Sequence, residues 1–310
     1  MILCLGTTPA AQRVMIFRRF TLDAVNRAAV TLEGAAGKAI NVAKVLKALG
    51  EHPVATGFLG GQRGEFLRAI IADKGIESDF VTVNAPTRQC ATVIDETSGA
   101  HTELIEESRP VQPEDFKKFM VRIRRRIAGA RAVIMSGTLA PGCPATLYRQ
   151  STRLAEKAGA LSVVDAQGAA LTGALPAKPG LVKPNRTELA ATVGRRLASE
   201  ADVMTAMREL HERGAQRVVV TAGGDPALAF DGAHFSRILT ARIKVVNPIG
   251  SGDAFSAAVV WRLLRGDDLA EACRWGAAAG AANALTPMPG ELNRADVERL
   301  AQKCSVISAD

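Results

Sequence analysis

The chain has 310 residues and a formal net charge of +8, from 39 Lys and Arg against 31 Asp and Glu. Apolar residues make up 47% and mean hydropathy is +0.09, which excludes disorder; the apolar stretch at 277–285 is too short to cross a bilayer. Five scattered cysteines (Cys4, Cys90, Cys143, Cys273, Cys304) contain no Cys-x-x-Cys pair, which argues against a disulfide framework or structural zinc site and for reduced thiols in the cytoplasm.

The first residues, Met1-Ile-Leu-Cys-Leu, lack a basic leader and read as a strand at 2–5 rather than a secretory signal. Residues 14–32 alternate polar and apolar with no helix between. A helical pattern at 40–49, a strand at 54–58 and a helix at 64–74 follow; residues 88–105 then alternate again. Beyond them come a helix at 113–127, a strand at 132–136, a helix at 145–158, strands at 161–165 and 181–183, a helix at 201–213 and a strand at 217–221. The tail after Leu300 is short and is expected to fray.

Alternating strands and helices predict an α/β fold in one domain, 1–310, with a mostly parallel sheet between helices. Ligands of such sheets sit at the carboxyl ends of the strands. The two alternating stretches, roughly 12–33 and 87–107, predict a small antiparallel sheet placed as a lid. The basic run Arg122, Arg124, Arg125 and Arg126 lies in a helical pattern and reads as a solvated face. With aromatics at 4% there is no stacking stripe for bases, so the expected partner is a small anionic molecule rather than nucleic acid or a membrane.

Three motifs carry chemistry. In Asn247-Pro-Ile-Gly-Ser-Gly-Asp253-Ala, a glycine turn opens an apolar helix, 254–264. Gly250, Ser251 and Gly252 can aim backbone N–H groups at a transferring phosphoryl group, with the helix terminus adding positive charge. Asp253 beside them can take a proton from an attacking hydroxyl, although a plain N-terminal aspartate fits the same local sequence. Gly37 and Lys38 precede the 40–49 helix without Walker A spacing; with Asn41 they could hold a phosphorylated or polyhydroxy ligand, or simply start a helix. In Lys183-Pro-Asn185-Arg-Thr-Glu188, hard oxygens three residues apart suit a hydrated Mg²⁺, and they equally form a capping box.

In order, these segments resemble the phosphofructokinase B family of carbohydrate kinases, with a ribokinase-like fold, over nearly the whole chain. The likeness is strongest to the branch of 1-phosphofructokinase, tagatose-6-phosphate kinase and the minor 6-phosphofructokinase. Beyond the motifs above it rests on Thr56-Gly-Phe-Leu-Gly-Gly, Thr87-Arg88, Ser136-Gly-Thr-Leu-Ala-Pro-Gly and Thr221-Ala-Gly223-Gly.

The resemblance implies a kinase moving the γ-phosphoryl of ATP, as its Mg²⁺ complex, to a hydroxyl of a hexose-phosphate-class sugar. The alternatives are a kinase of a free sugar or nucleoside, or a non-catalytic sugar-phosphate-binding regulator. It further implies Asp253 as base and Gly250 to Gly252 as anion hole. Lys183, Asn185, Glu188, Thr221, Gly223 and Asn283 would lie around the nucleotide, with Asn185 and Glu188 nearest the metal. Gln12, Gly37, Lys38, Asn41, Arg88 and Ser136 would lie around the sugar, and the lid would make a homodimer contact. Three departures fall on the sugar side. Gln12 stands where this branch carries Asp, Ala36 and Ala39 where it carries Gly, and Cys90 where it carries Asn.

Overall fold

Side-chain alternation along the first strand, Ile2–Leu5, sets the layering. Ile2 and Cys4 enter one apolar cluster, Leu3 and Leu5 the other, and all four are fully buried. A strand apolar on both faces needs helices on both sides. In the computed structural model, which describes residues 1–309, this strand pairs in parallel with Ala132–Ser136 on one side and Pro53–Thr56 on the other. Parallel pairing extends outward to Glu77–Ser78 at one edge, and through Leu161–Asp165 and Leu181–Val182 to Val218–Ala222.

The strands expected at 2–5, 132–136 and 161–165 stand at those residues, and the helix Pro113–Ile127 has its expected ends, with Pro113 in its first turn. Beyond Val218–Ala222 the sheet continues with three antiparallel strands, Asp225–Phe230, Phe235–Leu239 and Ser305–Ser308. The tail expected to fray therefore contributes an edge strand. The helix Leu269–Ala284 was hidden because alanine and glycine bury it on most sides, leaving no polar stripe to mark a period of 3.6.

The small sheet runs in the order Val30–Ala36, Ala10–Phe17, Arg88–Asp95, Ala100–Ile105. Two antiparallel hairpins meet through a parallel pairing of Ala10–Phe17 with Arg88–Asp95, which corrects the expectation of a wholly antiparallel lid. Val14 and Ile94 on it pack against Met288 of the main body. In the basic run Arg124 and Arg125 are exposed, as a solvated face requires, while Arg122, Arg125 and Arg126 also converge on Asp79 at 2.5, 2.8 and 2.7 Å. Burial alone would raise that carboxyl, but the three guanidinium bonds hold it at about 2. These three arginines fasten the helix Pro113–Ile127 to the end of the Glu77–Ser78 strand.

Candidate active site

Asn247 sets up the glycine turn: its Oδ1 accepts from Ile249 N at 3.1 Å, and its Nδ2 donates to Pro287 O at 2.8 Å. Gly250 then takes φ +86°, where a side chain would be strained and would strike the loop at Pro289 and Gly290. The helix Ser251–Leu263 starts there. Among the described residues no side chain caps it; Ser251 N donates to Pro248 O at 3.1 Å, and the Gly252 N–H is left for a ligand. Asn283, fully buried, braces the turn by donating from Nδ2 to Ile249 O (2.9 Å) and Ser251 Oγ (3.2 Å). Its amide thus holds the backbone of the anion turn.

Asp253, 6% exposed, faces inward and accepts from Asn41 Nδ2 at 2.7 Å. Burial pushes its carboxyl up to about 6; Lys38 opposes this, Asp165 adds to it, and Asn41 and Lys183 pull it down. A carboxylate so poised can accept a hydroxyl proton near neutral pH. Lys38, in the first turn of the helix Lys38–Ala48 that Gly37 caps, lies 3.1 Å from Asp165 Oδ1 and 3.3 Å from Glu188 Oε1. Burial would lower its ammonium, yet Asp165, Asp253 and Glu188 raise it, so it stays charged.

Lys183 reaches Asp165 Oδ2 at 3.1 Å, and a methyl group built on Gly252 would sit 3.7 Å from its Nζ. Its ammonium therefore stands beside the turn. Asp165 itself escaped sequence reasoning. It is fully buried, and although burial would raise its carboxyl, Lys183 and Lys38 hold it at about 2; Ser256 Oγ donates to it at 2.7 Å. The available signal was position: an acidic residue ending an apolar parallel strand stands at the edge where such sheets bind ligands.

Of the two alternatives left open at Asn185 and Glu188, the capping box is present. Glu188 N donates to Asn185 Oδ1 at 2.8 Å and Asn185 N to Glu188 Oε2 at 2.9 Å, a complete capping box. Among the described residues no group of three or more His, Cys, Asp or Glu could hold a metal. Thr221, one residue before the end of the strand Val218–Ala222, is bridged to Asn185, and Gly223 lies in the turn after it with open space around its Cα.

On the other side of Lys38, Ser136, Gly37, Gly6 and Thr8 line a small cavity. Ser136 Oγ in that lining has no partner among the described residues, nor do Asn41 Oδ1 and Arg88 Nε. Arg88 Nη2 donates to Thr8 O at 3.0 Å, so the guanidinium is anchored at one end and free at the other. Unpartnered buried donors and acceptors are costly unless a ligand meets them. Gln12, 3% exposed, donates from Nε2 to Thr92 Oγ1 at 2.8 Å. This bond ties the two lid hairpins together.

Compared with known proteins, residues 1–294 match the model described as pfkB family carbohydrate kinase. Phosphofructokinase-2 from Escherichia coli in complex with fructose-6-phosphate superposes with a TM-score of 0.87 at 29% identity, over 97% of each chain. A Thermotoga maritima protein described as a possible 1-phosphofructokinase gives 0.92 at 24% identity, over 100% of this chain and 99% of that one. Arabidopsis thaliana ribokinase complexed with ribose and ATP gives 0.74 at 20% identity, over 97% of each chain. These last two share the fold.

Proposed function

The chain belongs to the pfkB family of carbohydrate kinases and is an ATP-dependent carbohydrate kinase, and from that premise we propose that it transfers the γ-phosphoryl group of ATP to a hydroxyl of a hexose phosphate. The observation that carries the reading is Asp253: a buried carboxyl poised at about 6, hydrogen-bonded to Asn41, at the uncapped start of the helix Ser251–Leu263. Asp253 takes the proton of the acceptor hydroxyl as its oxygen attacks. The Gly250 and Gly252 N–H groups and the Lys183 ammonium stabilise charge on the transferring group. Lys38, fixed by Asp165 and Glu188, stands between the two halves of the site.

Asn185 and Glu188 would meet the water shell of a Mg²⁺ carried by the ATP phosphates, and the ion would neutralise phosphate charge. Thr221 and Gly223 border the nucleotide. Arg88, with its free Nε, and Ser136 bind the acceptor's own phosphate, which is why the acceptor is a sugar phosphate rather than a free sugar. Gln12, Ala36 and Ala39 reshape the sugar side, so the preferred acceptor differs from fructose 1-phosphate, fructose 6-phosphate and tagatose 6-phosphate.

The lid supports a homodimer contact: Leu104 and Ile105 on it are 56% and 52% exposed. The five cysteines are all free, which suits a reducing compartment, and we place the enzyme in the cytoplasm. No helix among the described residues is long and apolar enough to cross a membrane.

The test is a coupled ADP-release screen across hexose phosphates, free hexoses, pentoses and nucleosides. Turnover should be confined to phosphorylated sugars. Equal or better turnover of a free sugar would overturn the role given to Arg88.

A further inference from the structure

Lys44 is a lysine where an apolar residue would be expected. It lies on the helix Lys38–Ala48 one turn after Asn41, and it is 5% exposed. Its ammonium donates to two backbone carbonyls, Ala35 O at 3.1 Å and Pro289 O at 2.5 Å. The nearest carboxylate, Glu291, is 3.9 Å away and already engaged by Lys74 at 2.7 Å. Burial pushes Lys44 down to about 8; Glu291 and Asp253 oppose this and Lys74 adds to it. A buried charge with so little neutralisation costs stability, and methionine would fill the same space without that cost.

What the ammonium joins explains its presence. Ala35 lies at the root of the lid strand Val30–Ala36, two residues before the helix-capping Gly37. Pro289 and Gly290 press on the anion turn: a side chain on Gly250 would come within 2.9 Å of both. One built on Gly290 would come within 2.7 Å of Asn41 Cα and 2.9 Å of Lys44 Cε, so this loop is wedged between the turn and the helix. Gly290 N donates to Asn283 Oδ1 at 2.7 Å, and Asn283 in turn holds Ile249 O and Ser251 Oγ. One unbroken chain of contacts runs from the Lys44 ammonium to the backbone of the turn.

We propose that Lys44 is a positioning residue for phosphoryl transfer, clamping the 286–291 loop to the helix of Asn41 so that the anion turn and Asp253 keep their mutual geometry. The inference rests on the reading of Gly250–Asp253 as the transfer site, and it assigns a part to a side chain that touches neither substrate. A displacement of about 1 Å at such a site can cost about 100-fold in rate. Lys44→Met should therefore lower kcat by about 10- to 100-fold, change KM for ATP less than about threefold, and leave the melting temperature equal or higher.

The pH dependence separates positioning from packing. Below pH 8 the ammonium is charged in both folded and unfolded chains. Between about 8 and 10.5 the folded chain releases the proton and the unfolded chain keeps it, so stability from this residue rises with pH. Turnover should move the other way, falling as the clamp loses its proton. Relative to Lys44→Met, the wild type should lose kcat and gain stability between pH 7.5 and 9.5. Lys44→Arg, which stays charged, should shift the alkaline fall out of range. Normal kcat in Lys44→Met, with Asp253→Asn inactive, would overturn the proposal and leave the site reading standing; normal kcat in Asp253→Asn would overturn the site reading. If Lys44→Met does not fold, the wild-type profiles decide, and kcat and stability rising together above pH 8 would overturn the proposal.

Discussion

Asp253→Asn separates base chemistry from burial. A carboxyl held at about 6 instead of its ordinary 3.8 is disfavoured as an anion in the folded chain by about 3 kcal/mol at neutral pH, at 1.36 kcal/mol per pH unit. The folded chain binds the proton more tightly, so stability from this residue is greatest below about pH 4 and declines as pH rises through 6. Asparagine mimics the protonated acid and can keep the bond from Asn41. At pH 7.5 the variant should gain up to about 3 kcal/mol, seen calorimetrically as a melting temperature higher by several degrees. It should lose about 10²- to 10⁴-fold in kcat, as expected for a positioned general base. The wild-type profile of kcat/KM should rise with pH near 6, and the variant should lack that rise. Near-normal turnover would remove Asp253 from the mechanism, and a lower melting temperature would refute the cost assigned to its ionisation.

Arg88→Ala should weaken acceptor binding by about 2–4 kcal/mol, since it leaves a phosphate without its buried partner, while ATP affinity measured by calorimetry barely changes. Asp165→Asn leaves Lys38 and Lys183 without their shared carboxylate, so it should cost about 3–5 kcal/mol of stability in chemical denaturation and lower kcat. Because Asp165 is held at about 2, the stability it contributes is complete above pH 4 and is lost as pH falls towards 2; the variant should show less of that acid loss. Gln12→Asp should give up the bond to Thr92, lowering stability by about 1–3 kcal/mol. It should raise kcat/KM for at least one of fructose 1-phosphate, fructose 6-phosphate and tagatose 6-phosphate by about tenfold; unchanged values would mean that its carbonyl does not face the acceptor.

Much of the fold was legible because the parallel strands are apolar on both faces and punctuated by helices. The strands Leu161–Asp165 and Ala132–Ser136 needed only short β-branched runs between helical patterns. The antiparallel edge was harder, since Asp225–Phe230 and Phe235–Leu239 are set apart only by a short turn and carry mixed patterns. In the site, residues fixed by local geometry were readable: Gly250, Asp253, Gly37 and Lys38 all flank helix starts. Residues that act by convergence were not. Asp165 matters because Lys38 and Lys183 reach it from distant segments, and Lys44 because two carbonyls far apart in sequence meet at its ammonium. Asn283 is a similar case: only packing shows its amide turned onto Ile249 and Ser251.

Transfer of a phosphoryl group to a sugar-phosphate hydroxyl is tested directly by phosphorus NMR of the reaction mixture. With ATP, Mg²⁺ and a hexose phosphate that supports ADP release, a second phosphate-ester resonance should appear in one-to-one ratio with ADP and be absent with Asp253→Asn. Inorganic phosphate in place of the ester, or an ester formed only on an unphosphorylated sugar, would contradict it.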